Sequence, residues 1–175
     1  MKKIVLTFGL IAGAILSAMM LINAAFMDQI GFEKGEVIGY TTMILAFMMV
    51  FFGIRAYRDN ISGGAISFGK ALQVGLLIML VANVCYVATW QFVYHKLAPD
   101  FVEKYSAYVI EKARASGATA QEIEAKTKET ADLAESYKNP LVNIAYTFLE
   151  PLPVGLVSAL LAAAVFRRKR RLETA

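Results

Sequence analysis

Ser67-Phe-Gly-Lys70 has the spacing by which a lysine supports a nucleophilic serine in some acyl-enzyme hydrolases. Overlapping it, Gly64-Ala-Ile-Ser-Phe-Gly69-Lys70-Ala71 nearly completes a phosphate-cradling loop. Both patterns fail on context. The loop pattern ends on Ala71, which has no hydroxyl for magnesium, and it follows an apolar helix instead of a strand. The companion motifs of the hydrolases are missing. Ser67 is better placed as the N-cap of the apolar run that follows, with Lys70 reaching out to the headgroup layer. Just upstream, Arg55, Arg58 and Asp59 offer either an anionic-headgroup site or an ion pair that fixes the turn. A surface pair of that kind contributes under about 1 kcal/mol.

Glu150 is the one carboxylate inside an apolar run, and ionisable groups at membrane depth are costly and often functional. Pro151 and Pro153 follow it at once and remove backbone donors, so the helix should kink or unwind there, and broken membrane helices often border cavities. Counting 17 residues back from Arg167 at about 1.5 Å each places Glu150 roughly 25 Å up, close to the far interface. Trp90, Gln91 and His95 are the expected hydrogen-bond partners. His95 alone cannot hold zinc, which needs three or four donors. It sits instead in an aromatic belt with Trp90, Phe92 and Tyr94. Cys85, the only cysteine, leaves no thiol pair for redox or metal work. No cofactor or metal set is expected.

These residues must be positioned by membrane-spanning helices. The chain of 175 residues is 58% apolar, with a mean hydropathy of +0.53, against about 45–50% for a soluble domain. Four stretches, 4–27, 37–54, 71–94 and 141–166, reach the ~20 residues needed to cross a core of roughly 30 Å. Four spans put both termini on one side. Residues 1–3, 55–70 and 167–175 carry ten Lys/Arg in 28 positions, against eight in 54 for 28–36 and 96–140. The positive-inside rule therefore predicts cytoplasmic termini and a cytoplasmic 55–70 loop. The Arg167–Arg171 cluster follows an apolar span and is read as a topology anchor on anionic lipid, not a nucleic-acid patch. The first apolar run is longer than a signal-peptide core, and Gly9, Gly13 and Ser17 give it the four-residue spacing of a close-packing helix.

Residues 96–140 form the one sizeable hydrophilic block. Pro99, Asp100 and Glu103 favour a helix start, and Phe101, Tyr105, Tyr108 and Val109 share one face. Ser116-Gly117 ends that helix, and Thr119-Ala-Gln-Glu122 fits a capping box for a second. Asn139-Pro140 opens the next element. A periplasmic helical hairpin inserted between spans three and four is predicted. Its aromatic face closes the hairpin, binds a partner or lies at the headgroup boundary. The first and second pairs of spans share no alignable repeat.

The run Gly53-Ile-Arg-Ala-Tyr57-Arg58-Asp59, then Gly64-x-Ile66-Ser67-Phe68-Gly69-Lys70-Ala71 and Gly75, resembles a family of small uncharacterised four-span membrane proteins common in Bacteroidetes, classed as a domain of unknown function. Trp90, Tyr94 and Pro99-Asp100-Phe101 resemble its later signature. The resemblance implies an inner-membrane protein of a Gram-negative bacterium and carries over no substrate, cofactor or catalytic residue.

The resulting expectation is an all-α integral membrane protein with one domain and no enzymatic activity. It would act through its hairpin as an interaction or assembly element, by a protein partner or self-association. The rival expectation is a small oligomeric transporter or ion-coupled channel that uses Glu150 at the proline-broken helix.

Overall fold

The computed structural model describes residues 1–168, so Lys169, Arg170 and Arg171 of the basic cluster lie outside the described residues. The elements are α1 (Lys2–Ala25), α2 (Met27–Asn60), α3 (Phe68–Phe92), a π-helical turn (Val93–Leu97), α4 (Phe101–Ala115), α5 (Ala120–Tyr137), α6 (Pro140–Leu149) and α7 (Leu152–Phe166). Among the described residues, four helical units are long and apolar enough to cross a membrane: α1, α2, α3 with its π-turn, and α6 with α7. Their outward faces are apolar even at mid-helix, with Leu10 53%, Leu45 55%, Val84 59% and Leu160 47% exposed. In water such a surface would be unstable, whereas a bilayer provides the covering it needs.

α3 is the hub and packs against α1, α2, α6 and α7. Gly9 and Gly13 explain how α1 comes so close. A Cβ added at Gly9 would meet Val81 Cβ at 2.6 Å, and one at Gly13 would meet Cys85 Cβ at 2.7 Å. One turn further on, Thr89 Oγ1 donates to Ser17 Oγ at 2.7 Å. Small residues at four-residue spacing thus give close backbone approach, ending in a hydroxyl pair. The pairs 9–81, 13–85 and 17–89 advance together, so α1 runs parallel to α3. On the other side, Gly155 of α7 abuts Met79, while Ala159, Ala162 and Ala163 are fully buried. Gly13→Leu is expected to lower stability by about 1–3 kcal/mol through overpacking, read as a lower thermal midpoint of the detergent-solubilised protein.

Two boundaries differ from the hydropathy pattern. The second helix starts at Met27, not near residue 37, and runs to Asn60, not residue 54. Asp28, Glu33, Lys34 and Glu36 end the apolar run without ending the helix, because Glu and Lys are good helix formers. Its one interruption is Gly31, with φ 73° and ψ 163°, a backbone region open essentially to glycine alone. Likewise the connector expected over 55–70 shrinks to 61–67. Ile54 and Tyr57 are core residues that carry α2 past the membrane-depth run. Ile66 and Arg168 then exchange backbone hydrogen bonds of 3.1 and 2.9 Å, tying this connector to the end of α7. Both ends of the described chain therefore lie at the connector end of the bundle.

The hairpin α4–α5 turns at Gly117, φ 78°. Pro99 precedes α4 instead of opening it. The capping box is formed: Thr119 N–H donates to Glu122 Oε2 at 2.7 Å, and Glu122 N–H donates to Thr119 Oγ1 at 3.3 Å. The aromatic face neither merely closes the hairpin nor faces outward. Phe101, Tyr105 and Tyr108 surround Phe32 of α2, with centroids 5.7, 5.7 and 5.2 Å away, and Phe101 meets Trp90 of α3 edge-on at 4.9 Å. Lys104 adds an exposed bridge to Asp28 at 3.5 Å and to Asp100 at 3.0 Å. The hairpin is thereby folded down over the end of the bundle.

The Thr119 backbone N–H, then its hydroxyl, hold the Glu122 carboxylate below its ordinary value of 4.5. A lowered folded value means the cap contributes fully above pH 4.5 and is lost as the pH falls through the folded value. Thr119→Ala is expected to speed amide exchange in the first turn of α5 about fivefold at neutral pH. Exchange in the last turn of α4 should not change.

Candidate functional site: a carboxylate at a broken helix

The residues singled out in the sequence separate to opposite ends of the bundle. Arg55, Arg58 and Asp59 lie on the last turns of α2. Arg58 Nε donates to Asp59 Oδ1 at 2.7 Å, and Arg55 lies 3.7 Å from the same carboxylate. The Arg58 guanidinium also stands over the Phe166 ring at 5.3 Å. Ser67 Oγ accepts the Lys70 backbone N–H at 3.3 Å, so Ser67 caps α3. Lys70 Nζ turns away from Ser67 and donates to Gln73 Oε1 at 2.9 Å, so the pair is not set up for nucleophilic work. The Gly64 and Ile66 amides are spent on the carbonyls of Arg58 and Arg168, leaving them unavailable to cradle a phosphate. This end is a structural joint with exposed basic side chains.

Glu150 stands alone at the other end, at the joint of α6 and α7. Pro151 and Pro153 have no N–H to offer the carbonyls of Thr147 and Leu149, which breaks the helix at this point. Buried polar side chains gather around the break. Asn143, 1% exposed, accepts from Gln91 Nε2 at 2.8 Å. Asn83, fully buried, donates to the Phe148 carbonyl at 3.4 Å. The partner of Glu150 is neither Gln91 nor His95, which hydrogen-bond to Asn143 and to the Gln91 carbonyl. It is Tyr86, whose hydroxyl donates to Glu150 Oε2 at 2.9 Å. Five residues before Gln91, Tyr86 lies about 7 Å nearer the connector end and level with Glu150.

Glu150 is enclosed by protein on most sides yet keeps accessible surface, because it faces a cavity of about 500 Å³. The volume is within the range of small-molecule sites. Its walls come from α1, α2, α3 and α6, and the hairpin roofs it with Phe101, Tyr105 and Tyr108. Gly31, Gly35 and Gly39 all border it. At Gly31 and Gly39 an added Cβ would meet nothing within 4 Å, so these glycines make room instead of drawing helices together. Met19, Met20, Met27 and Met43 supply adaptable apolar lining. Asn23 and Trp90, also on the wall, each hold a buried polar atom with no protein partner. On the hairpin, burial pushes the Tyr137 phenol up to about 12, the Glu150 carboxylate being the next contributor, so Tyr137 stays a neutral donor.

α6 packs on α3, α5 and α7 and has no extensive contact with α2, and residues of both α2 and α6 line the cavity. Tyr40 and Tyr146, 48% and 49% exposed, stand on the two sides. Asn143→Ala is expected to cost about 1–3 kcal/mol, since it leaves the Gln91 amide unpaired beside the break. Thermal unfolding in detergent measures it.

A carboxylate at a proline break, held by one phenol inside a roofed cavity, defines a polytopic α-helical membrane protein with a candidate ligand site. The chain belongs to the family described as a protein of unknown function, DUF4199, which matches residues 7–168. No curated protein and no solved structure matches it.

Proposed function

We propose that the protein is a small membrane carrier whose ligand site is the Glu150 cavity. The observation that carries this reading is the juxtaposition of Glu150, Tyr86 and the Pro151 break with a cavity of about 500 Å³. Ionisable residues at such depth face pathways or pair with one another, and here the carboxylate faces open volume. The aromatic face of the hairpin, the surface an assembly role would use, is taken up by Phe32 and Trp90 of the same chain. This favours a carrier over an assembly element. Catalysis plays no part in this reading.

The Lys/Arg balance supports a bacterial inner-membrane location with both termini cytoplasmic, Arg55 and Lys70 at anionic headgroups, and the cavity near the periplasmic interface. Proteoliposomes carrying an imposed gradient of protons or of a monovalent cation, inorganic or organic, test the carrier reading. Wild type is expected to dissipate one of the gradients, and Glu150→Gln to slow that flux about tenfold or more, the scale of losing a site's only paired charge. No flux from the wild type, or equal flux from the variant, refutes it.

A further inference from the structure

We infer that the ligand of this cavity is an organic monocation with an apolar body, and that it enters from the bilayer between α2 and α6. The inference rests on the carrier reading and narrows it to one chemical class.

The charge of the lining selects the sign. Glu150 and Glu36 both border the cavity, and none of its lining residues is Lys, Arg or His. An anion would meet two carboxylates and no counter-charge on the cavity wall, since Lys112, the ammonium near Glu36, lies outside the lining and donates to the Tyr108 hydroxyl. A neutral ligand would leave Glu150 with Tyr86 as its single partner. A cation completes the pair.

The rest of the lining selects the body. Tyr40, Tyr86, Trp90 and Tyr146 are among the lining residues, and aromatic rings attract organic cations within about 6 Å. An inorganic ion such as calcium needs about six to eight oxygen ligands, and a wall of methionine, glycine and aromatic residues supplies too few. The space left open by Gly31, Gly35 and Gly39 suits a bulky apolar group.

The route follows from what is closed. Phe32, Phe101, Tyr105 and Tyr108 pack across the roof and block the axial path from the hairpin side. α1 is sealed to α3 by Gly9 and Gly13. Between α2 and α6 there is no extensive helix contact, and Tyr40 and Tyr146 flank the space between them, aromatic side chains of the kind that gather at a membrane–water interface.

Trp90 is the single tryptophan of the chain and lines the cavity, so its fluorescence reports occupancy. The test titrates the full-length protein in nanodiscs with tetraphenylphosphonium and with tetraphenylborate, two ions of one shape and opposite charge. The cation is expected to change Trp90 emission saturably, and Glu150→Gln to weaken that binding about tenfold or more. Tetraphenylborate should show no saturable effect. Gly39→Phe fills open space at the α2–α6 gap, and is expected to abolish binding with the thermal midpoint unchanged.

Saturable binding of both ions, or of the anion alone, overturns the cation assignment and leaves the carrier reading standing. Absence of any saturable response to the cation also overturns the assignment, while the gradient assay decides the carrier reading separately. Cation binding that survives Gly39→Phe overturns entry between α2 and α6. Because that variant leaves Glu150 in place, it remains informative even where Glu150→Gln fails to fold.

Discussion

Inside a bilayer no water is present to satisfy a backbone carbonyl, and a helix interrupted by proline must be compensated by its neighbours. The joint of α6 and α7 carries two prolines within three residues. The polar side chains in the half of the bundle beneath the hairpin are arranged around that fact. Asn83 reaches a carbonyl beside the break, and Gln91 and Asn143 hold each other across α3 and α6. Thr147 donates to the Asn143 carbonyl one turn earlier. With α6 fixed to α3 in this way and without extensive contact with α2, a space is left between them, and Glu150 is a carboxylate at its edge. The cavity is thus a geometric result of breaking one helix and anchoring the two pieces differently.

Glycine at four-residue spacing serves two opposite ends in this chain. Gly9 and Gly13 sit under the side chains of α3, where the missing Cβ allows contact. Gly31 and Gly39 face nothing within 4 Å, where the missing Cβ preserves volume. The motif is the same in both cases. What differs is whether another helix lies opposite, and spacing alone carries no information on that.

This marks how far the sequence could be read. The four spans, the hairpin, its capping box and the break at Glu150 follow from local rules of hydropathy, capping and proline geometry. The ends of α2 do not, because hydropathy detects where lipid contact stops while helix propensity in charged turns continues. The packing of the hairpin's aromatic face on Phe32 depends on tertiary contact and has no local signal. Tyr86 did have one. Counted from Lys70, it lies at the height that Glu150 reaches counted from Arg167, and Asn83 one turn earlier on the same helix is a second polar residue in an apolar run. The Arg55–Lys70 segment had the more conspicuous composition and proved to be a joint.

That joint bears on how the bundle can move. The two backbone hydrogen bonds between Ile66 and Arg168 fasten the α2–α3 connector to the foot of α7, and the connector itself fastens α2 to α3. Three of the four spans are therefore clasped at one end, while at the other α3 is tied to α6 by Gln91 and Asn143 and α2 meets the hairpin through Phe32. Such a body deforms like a pair of forceps, with small displacement at the clasp and large displacement at the tips. Since α6 ends just before the Pro151 break, its movement is not transmitted stiffly down α7, and the clasped end can hold still while the space beside Glu150 changes width.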